Sequence, residues 1–332
     1  MRVGDLDEDA VVARIGARLE RPHPEEVWSG DDAAVVTVSE PRALFTTDSL
    51  VEGVDFQLAW VSGEDVGWKA MAVNASDIAA MGGRPRHAVV ALCVHPGTDI
   101  ALVDGLIDGI AEAGRTWGIS LVGGDLSRGR QLVVGVAMLG SAGSGAPVLR
   151  STARPGEAIC VTGSLGAAAG GLIALRRRAR DRARGGAVWR LVERQVRPRA
   201  RVAEGLELAA LGASAMMDLS DGLAVDLARL VAASEVGCDV DPRRIPVDRD
   251  LIDAIADGAL GEIDALETAI IGGEDFELLF TIERQRVEEA VGALAALGCP
   301  ITRIGTVSDG AGRIGDGSLE AWRRRGWDHL RN

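Results

Sequence analysis

The chain has almost no lysine. Lys69 is the single one among 332 residues, and arginine carries the remaining basic charge. No G-x-x-x-x-G-K-[ST] segment is present, so a P-loop is excluded; any phosphate must be handled by arginines and metals. Tyrosine is absent, and phenylalanine and tryptophan are few. That bias is assigned to genomic base composition rather than to mechanism. The four cysteines (Cys93, Cys160, Cys238, Cys299) stand far apart and form no C-x-x-C. They read as buried free thiols of a reducing cytosol. The histidines (His23, His87, His95, His329) make neither H-x-x-x-H nor H-E-x-x-H, which argues against zinc. No G-x-S-x-G or Cys/His signature supports nucleophilic catalysis.

Long apolar runs are missing too. None approaches the roughly 18 residues that span a bilayer. The opening MRVGDLDEDAVVARIGARL is acidic and amphipathic, without the apolar centre of a signal peptide. A cytoplasmic protein with no membrane partner is expected. The net charge of −13 disfavours nonspecific nucleic-acid binding. One basic run, RRRARDRAR at 176–184, reads as a solvated helix end.

What the chain has instead is acid beside glycine and serine. Six clusters recur: Gly30-Asp31-Asp32, Thr46-Thr47-Asp48, Asn74-Ala75-Ser76-Asp77, Gly123-Gly124-Asp125, Asp218-Leu219-Ser220-Asp221 and Gly272-Gly273-Glu274-Asp275. Converging carboxylates repel one another unless hard cations sit between them, and oxygen-rich sites of this kind suit Mg²⁺. Two adjacent aspartates at 31–32 exceed what a turn needs. Thr46-Thr47-Asp48 closes an apolar strand, where it either shares an ion or merely ends the strand. Asn74 and Asp77 share a helix face. Asp77 also lies near the helix C-terminus among Ala75, Ile78, Ala79 and Met81, where the dipole disfavours a carboxylate. Gly123-Gly124-Asp125 follows a strand at 119–122 and reads either as a ligand site at the strand's C-terminal end or as a tight turn. Asp218 to Asp221 precedes an amphipathic helix; one N-cap would suffice there, and the surplus charge points to a ligand. Gly163-Ser164-Leu165-Gly166 with Gly170-Gly171 misses the dinucleotide spacing. Close helix–strand packing accounts for it, with phosphate contact left open.

The length accommodates two domains. Periodicity gives helices near 11–19, 64–81, 99–117, 167–178, 199–211, 222–234 and 284–297. Strands are expected at 33–38, 43–47, 87–94, 119–122, 132–140, 158–162, 213–217, 269–271, 276–282 and 301–307. Strands and helices alternate in both halves, so two α/β domains are expected. The Gly/Ser/Ala stretch 140–146 looks like their connection, dividing the chain into 1–145 and 146–332.

Taken in order, GDDAAVV (30–36), TTDSLVEGVDF (46–56), WKAMAVNASDIAAMGGRP (68–85), LVGGDLSRG (121–129), VTGSLGAAAGGL (161–172), MDLSDGLAVDL (217–227), GGEDFELLFT (272–281) and GWDHL (326–330) resemble the thiamine-monophosphate kinases. That superfamily also holds aminoimidazole ribonucleotide synthetase, selenophosphate synthetase and a hydrogenase maturation factor. The resemblance implies an α/β (α+β) protein whose N-terminal domain binds metal and ATP and forms a β-barrel across a homodimer interface. Its C-terminal α/β domain would complete the nucleotide and substrate contacts. It implies ATP-dependent phosphorylation of thiamine monophosphate to thiamine diphosphate, with ATP as co-substrate and several Mg²⁺ ions. Asp32, Thr46, Thr47, Asp48, Asp77, Asp125, Asp218 and Asp221 would be metal ligands, and Asp48, Asp77, Asp125 and Asp221 the catalytic set. Gly124, Asp125, Arg150 and Ser220 would meet the nucleotide, and Asp55, Glu274 and Trp327 the acceptor; the family often has His at position 55. Transfer between two phosphates is mostly positioning and charge neutralisation, and a phosphate acceptor needs no general base. The alternatives are another ATP-dependent synthetase of the superfamily, or a non-enzymatic cation-binding protein. The first cysteine is as late as Cys93, which counts against selenophosphate chemistry, and ion-binding modules usually gather their ligands in one loop.

Overall fold

Alternation of buried and exposed side chains sets up the first of two sheets. Strand β1 (Ala43–Val51) buries Leu44 and Leu50 and leaves Phe45 and Thr47 exposed. The computed structural model describes residues 1–21, 26, 28, 34–38, 42–142, 145–177 and 186–326. They divide into two compact units, Met1–Ile78 with Gly83–Ala146, and Ala79–Gly82 with Pro147–Asn332. No helix among the described residues is long and apolar enough to cross a membrane.

The first unit begins with helix α1 (Glu8–Gly16), capped by Asp7. Its sheet joins β1 to β2 (Arg84–Val94), β3 (Ser120–Arg128) and β4 (Val133–Ser141) in the order β1-β4-β2-β3. Only the β2–β3 pair is parallel, and helix α3 (Ile100–Trp117) makes that crossover. Helix α2 (Gly63–Ala80) crosses α3 at very close range. A Cβ at Gly67 would stand 2.0 Å from the Leu106 carbonyl, and one at Gly109 would stand 2.1 Å from that of Glu64. Val134, Val136, Met138, Ala88, Val90 and Leu92 line the buried face of the sheet, while Phe45 and Val89 lie on the open face, 73% and 39% exposed.

In the second unit the sheet runs β11-β10-β7-β9-β5-β8-β6. Its strands are β5 (Ala158–Thr162), β6 (Ala215–Asp218), β7 (Gly237–Val240), β8 (Leu278–Ile282), β9 (Ile301–Ser308), β10 (Arg313–Ile314) and β11 (Gly317–Ser318). Side chains of β5 alternate between two cores: Ile159 and Val161 face one, Ala158 and Cys160 the other. Helices α7 (Leu223–Ala233) and α9 (Ala265–Ile271) join the first core, and α6 (Val202–Ala210) and α10 (Val287–Ala296) the second. Burial on both faces explains why these strands are apolar without alternation. Helices α4 (Ala167–Arg176), α5 (Ala187–Val196) and α8 (Arg249–Ala256) pack on one another, and α11 (Leu319–Arg323) packs on α7.

Three expectations change. Gly123-Gly124-Asp125 does not follow a strand; β3 continues through it to Arg128. Glycine prolongs the ladder here, because a Cβ at Gly124 would lie 2.3 Å from the Val90 carbonyl. Residues 269–271 end helix α9 rather than forming a strand, with Asp264 accepting the Glu267 N–H as its cap. Three apolar residues cannot separate a period of 2 from one of 3.6. Of the strand expected at 33–38, residues 34–38 are described and form none; the Glu26 carboxylate takes the Thr37 N–H at 2.8 Å.

Candidate active site

In the first unit, β1 and α2 bring two of the acidic clusters together. Thr46 donates its hydroxyl to the Asp77 carboxylate at 2.5 Å, and the Asp48 amide donates to Asn74 Oδ1 at 3.1 Å. Asn74 is buried and oriented by its own bond to the Ala70 carbonyl, 2.9 Å. Strand alternation then turns Thr47 to the other face, where its hydroxyl donates to the Val136 carbonyl at 2.8 Å. Asp48 pairs with Val136, Val136 with Val90 and Val90 with Gly124, one row on the helix-covered side. Asp125 belongs to the next row, with Ala91, Gly135 and Ser49, on the open face. There it accepts from Ser127 Oγ at 2.9 Å. The structure therefore brings Thr46, Asp48, Asn74 and Asp77 together and sets Thr47 and Asp125 on the opposite face. Asp55 accepts the Val51 N–H at 2.8 Å and closes the turn after β1. Asp32 lies outside the described residues.

In the second unit, two loops zip onto each other. Leu219 N–H donates to the Glu277 carbonyl, Phe276 N–H to that of Leu219, and Glu274 N–H to that of Ser220, at 2.8 to 3.0 Å. The fit needs glycine at 273, where a Cβ would meet the Ser220 carbonyl at 2.5 Å. Glu274 and Phe276 hold φ of +69° and +50°; among described residues only Glu235 is another non-glycine with positive φ. Such strain, held by surrounding bonds, concentrates at functional sites. Asp218 ends β6 and is buried, and Asp221 meets Arg229 at 2.5 Å. Arg229 also meets Asp226 at 2.8 Å, and Asp226 accepts the Asp221 N–H at 3.0 Å. Burial, with Asp218 and Asp221 alongside, pushes the Asp226 carboxyl up to about 7. Arg150 is exposed and its carbonyl accepts from Ser234 Oγ at 2.8 Å. Trp327 lies outside the described residues. A Cβ on Gly326, the residue before it, would touch Val225 and lie 3.8 Å from the Asp221 carbonyl.

The Gly-rich loop before α4 offers no open helix N-terminus. Asp275, partly buried, takes the Gly166 and Ala168 N–H groups at 2.6 and 3.0 Å, which fills the position a phosphate would occupy. Among the described residues no three His, Cys, Asp or Glu side chains form a group able to hold a metal by themselves. The donors available beside Asp77 and beside Asp221 are all oxygen, which fits Mg²⁺ completed by water and phosphate and does not fit zinc.

Residues 30–142 match the N-terminal domain of AIR synthase related proteins, and residues 154–316 match the C-terminal domain. A thiamine-monophosphate kinase of Bacillus subtilis (strain 168) is 34% identical over 306 residues, 92% of either chain. The chain belongs to the thiamine-monophosphate kinase family. The crystal structure of such a kinase from Stenotrophomonas maltophilia K279a superposes with a TM-score of 0.83 at 35% identity, covering 94% of this chain and 98% of that one. A structure described as AaThiL complexed with AMPPCP and TMP gives 0.79 at 30% identity and covers 99% of each chain.

Asp226 and Arg229 have no role in the sequence-based expectations, and Asp275 enters them only as one member of an acidic cluster. Asp226 was findable, because it lies three residues after Leu223 and four before Leu230, on the apolar stripe of α7. The Gly272–Asp275 cluster marks Asp275, but not as the cap of α4; nothing local marks Arg229, and the partners of both come from the fold.

Proposed function

We propose that this chain transfers the γ-phosphoryl group of ATP to the phosphate of thiamine monophosphate, giving thiamine diphosphate by in-line, Mg²⁺-assisted displacement. The observation that carries this reading is the match along 92% of the chain to a curated thiamine-monophosphate kinase. A relative described with AMPPCP and TMP supports ATP and the thiamine phosphate as the two substrates.

The acceptor phosphate is anionic and nucleophilic at neutral pH, so the protein's task is to gather like charges and align them. The sole lysine is buried on α2. Mg²⁺, when bound, supplies charge neutralisation and a template for the phosphates. Thr46, Asp48 and Asp77 would hold it in the first unit and Asp218 and Asp221 in the second. Asp32 and the open-face Thr47 and Asp125 are further ligands in this reading. Thr46 and Asn74 fix the Asp77 carboxylate and the Asp48 backbone, and Arg229 holds Asp221 in place. Gly124, Asp125, Arg150 and Ser220 are assigned to the nucleotide, and Asp55, Glu274 and Trp327 to the acceptor. Residues 1–145 are assigned metal and ATP binding and dimerisation, and 146–332 the remaining nucleotide and acceptor contacts. A second copy would cover the open sheet face and close a barrel, which would protect the exposed Phe45 and Val89 from water.

A coupled assay with ATP, Mg²⁺ and either thiamine or thiamine monophosphate tests the reading. ADP release with thiamine monophosphate, and none with thiamine, is expected; the reverse preference would overturn the substrate assignment.

A further inference from the structure

Gln195, near the end of α5, is only 4% exposed. Its Nε2 donates to Glu274 Oε2, while its Oε1 is buried with no hydrogen-bond partner among the described residues. Turning the amide over would aim Oε1 at a carboxylate, acceptor against acceptor. Glu274 therefore dictates the orientation, and the fold tolerates an unsatisfied buried acceptor to satisfy it. A methionine of similar volume would fill the same space without that penalty. Two further features direct the glutamine. A Cβ at Gly171 of α4 would stand 2.2 Å from the Leu191 carbonyl and 2.8 Å from Gln195 Cβ, so the glycine lets α5 settle deep enough for the amide to reach. The Glu274 backbone is already pinned, at φ +69° with its N–H on the Ser220 carbonyl.

We propose that Gln195 is a positioning residue for the acceptor substrate: it holds the Glu274 carboxylate in the rotamer that meets thiamine monophosphate. The inference rests on the assignment of Glu274 to the acceptor. Backbone and side chain of Glu274 are then both fixed before substrate arrives, and the ordering cost of binding falls. A residue retained for stability alone would leave no orphan acceptor.

The test is a double-mutant cycle on the full-length protein with each substrate varied in turn. Gln195→Met should raise the KM for thiamine monophosphate about tenfold, with kcat and the KM for ATP within about twofold of wild type. Its Tm should equal or exceed that of wild type, because the orphan acceptor is gone. In a Glu274→Ala background the same substitution should change the acceptor KM by less than about twofold, since the group it positions is missing. Full additivity of the two substitutions, a rise of both KM values together, or a lowered Tm with unchanged KM would each overturn the proposal. A wild-type protein inactive on thiamine monophosphate would sink the functional reading as well; an active wild type with an unaffected Gln195→Met sinks only this inference.

Discussion

Asp77 sits near the end of α2, where the aligned peptide dipoles present negative charge, and its carboxylate accepts from the Thr46 hydroxyl. An asparagine keeps an acceptor for Thr46 and removes the charge. In chelator, Asp77→Asn should therefore raise stability by about 0.3–1 kcal/mol, the usual worth of a charge at a helix end. With Mg²⁺ and both substrates its turnover should fall about a hundredfold or more. Thermal melts in chelator and initial rates check the two halves; an unchanged melt with full activity would make Asp77 a surface carboxylate. Asp275 gives a second prediction. Burial pushes its carboxyl up to about 7 from the ordinary 3.8, against the pull of the Ala168 and Gly166 N–H groups. The folded protein therefore holds a proton that the unfolded chain releases between about pH 4 and 7. The stability this group contributes is complete below about pH 4 and is lost as pH rises through about 7. Asp275→Asn lacks the titration, so the Tm advantage of wild type over the variant should narrow across that window. A constant difference would mean that Asp275 stays ionised as the cap of α4.

At the scale of elements, a buried ion network joins the start of α6 to two strands. Arg201 meets Glu277 with two bonds, 2.7 and 2.5 Å, and Glu204 at 3.1 Å; Thr162 at the end of β5 donates to Glu277 at 2.7 Å. Arg201 is 7% exposed and Glu277 2%. Removing one partner strands a buried charge, so Arg201→Met should cost about 3–5 kcal/mol, whereas the pair Arg201→Met with Glu277→Leu should recover part of it, since buried Glu204 then keeps only Arg199 among the described residues. Urea unfolding of the two variants decides; equal losses would mean that the network's geometry, rather than its charge balance, holds the elements. This network was not legible in the sequence, because Arg201 and Glu277 lie 76 residues apart and neither stands out locally. Long periodic segments were legible: α2 and α3 lie within about a residue of where helical spacing puts them. Short elements were not. The four-residue β7 and the two-residue β10 and β11 carry too little pattern to register, and the apolar end of α9 reads equally as strand. The acidic clusters stand out in the sequence, since carboxylates beside apolar runs are costly, and the structure brings Thr46, Asp48, Asn74 and Asp77 together. Which sheet face each occupies was not legible: the bulge between Ala88 and Val89 shifts the register of β3, and the register puts Asp125 on the open side.

For the whole molecule the open face of the first sheet is the unresolved cost. Phe45 is 73% exposed there and Val89 39% exposed, and the partly buried Cys93 continues the same side of β2. A second copy related by a twofold axis would bury the same patch on both chains, so each apolar side chain would count twice. Burying one phenylalanine is worth about 1.5–3 kcal/mol. Phe45→Asp replaces that gain, on both chains, with a charge facing its own copy. Wild type is expected to sediment as a dimer at micromolar concentration and Phe45→Asp as a monomer. Thiol chemistry gives an independent readout. Burial pushes Cys160 up to about 12 and Cys238 and Cys299 up to about 11, so these three should stay unreactive toward a thiol reagent at pH 8 in either form. Cys93 should react slowly in the dimer and quickly in the Phe45→Asp monomer. A wild type that sediments as a monomer, or a Phe45→Asp variant that remains dimeric with Cys93 protected, would show that another surface joins the chains and that the exposed phenylalanine serves something else.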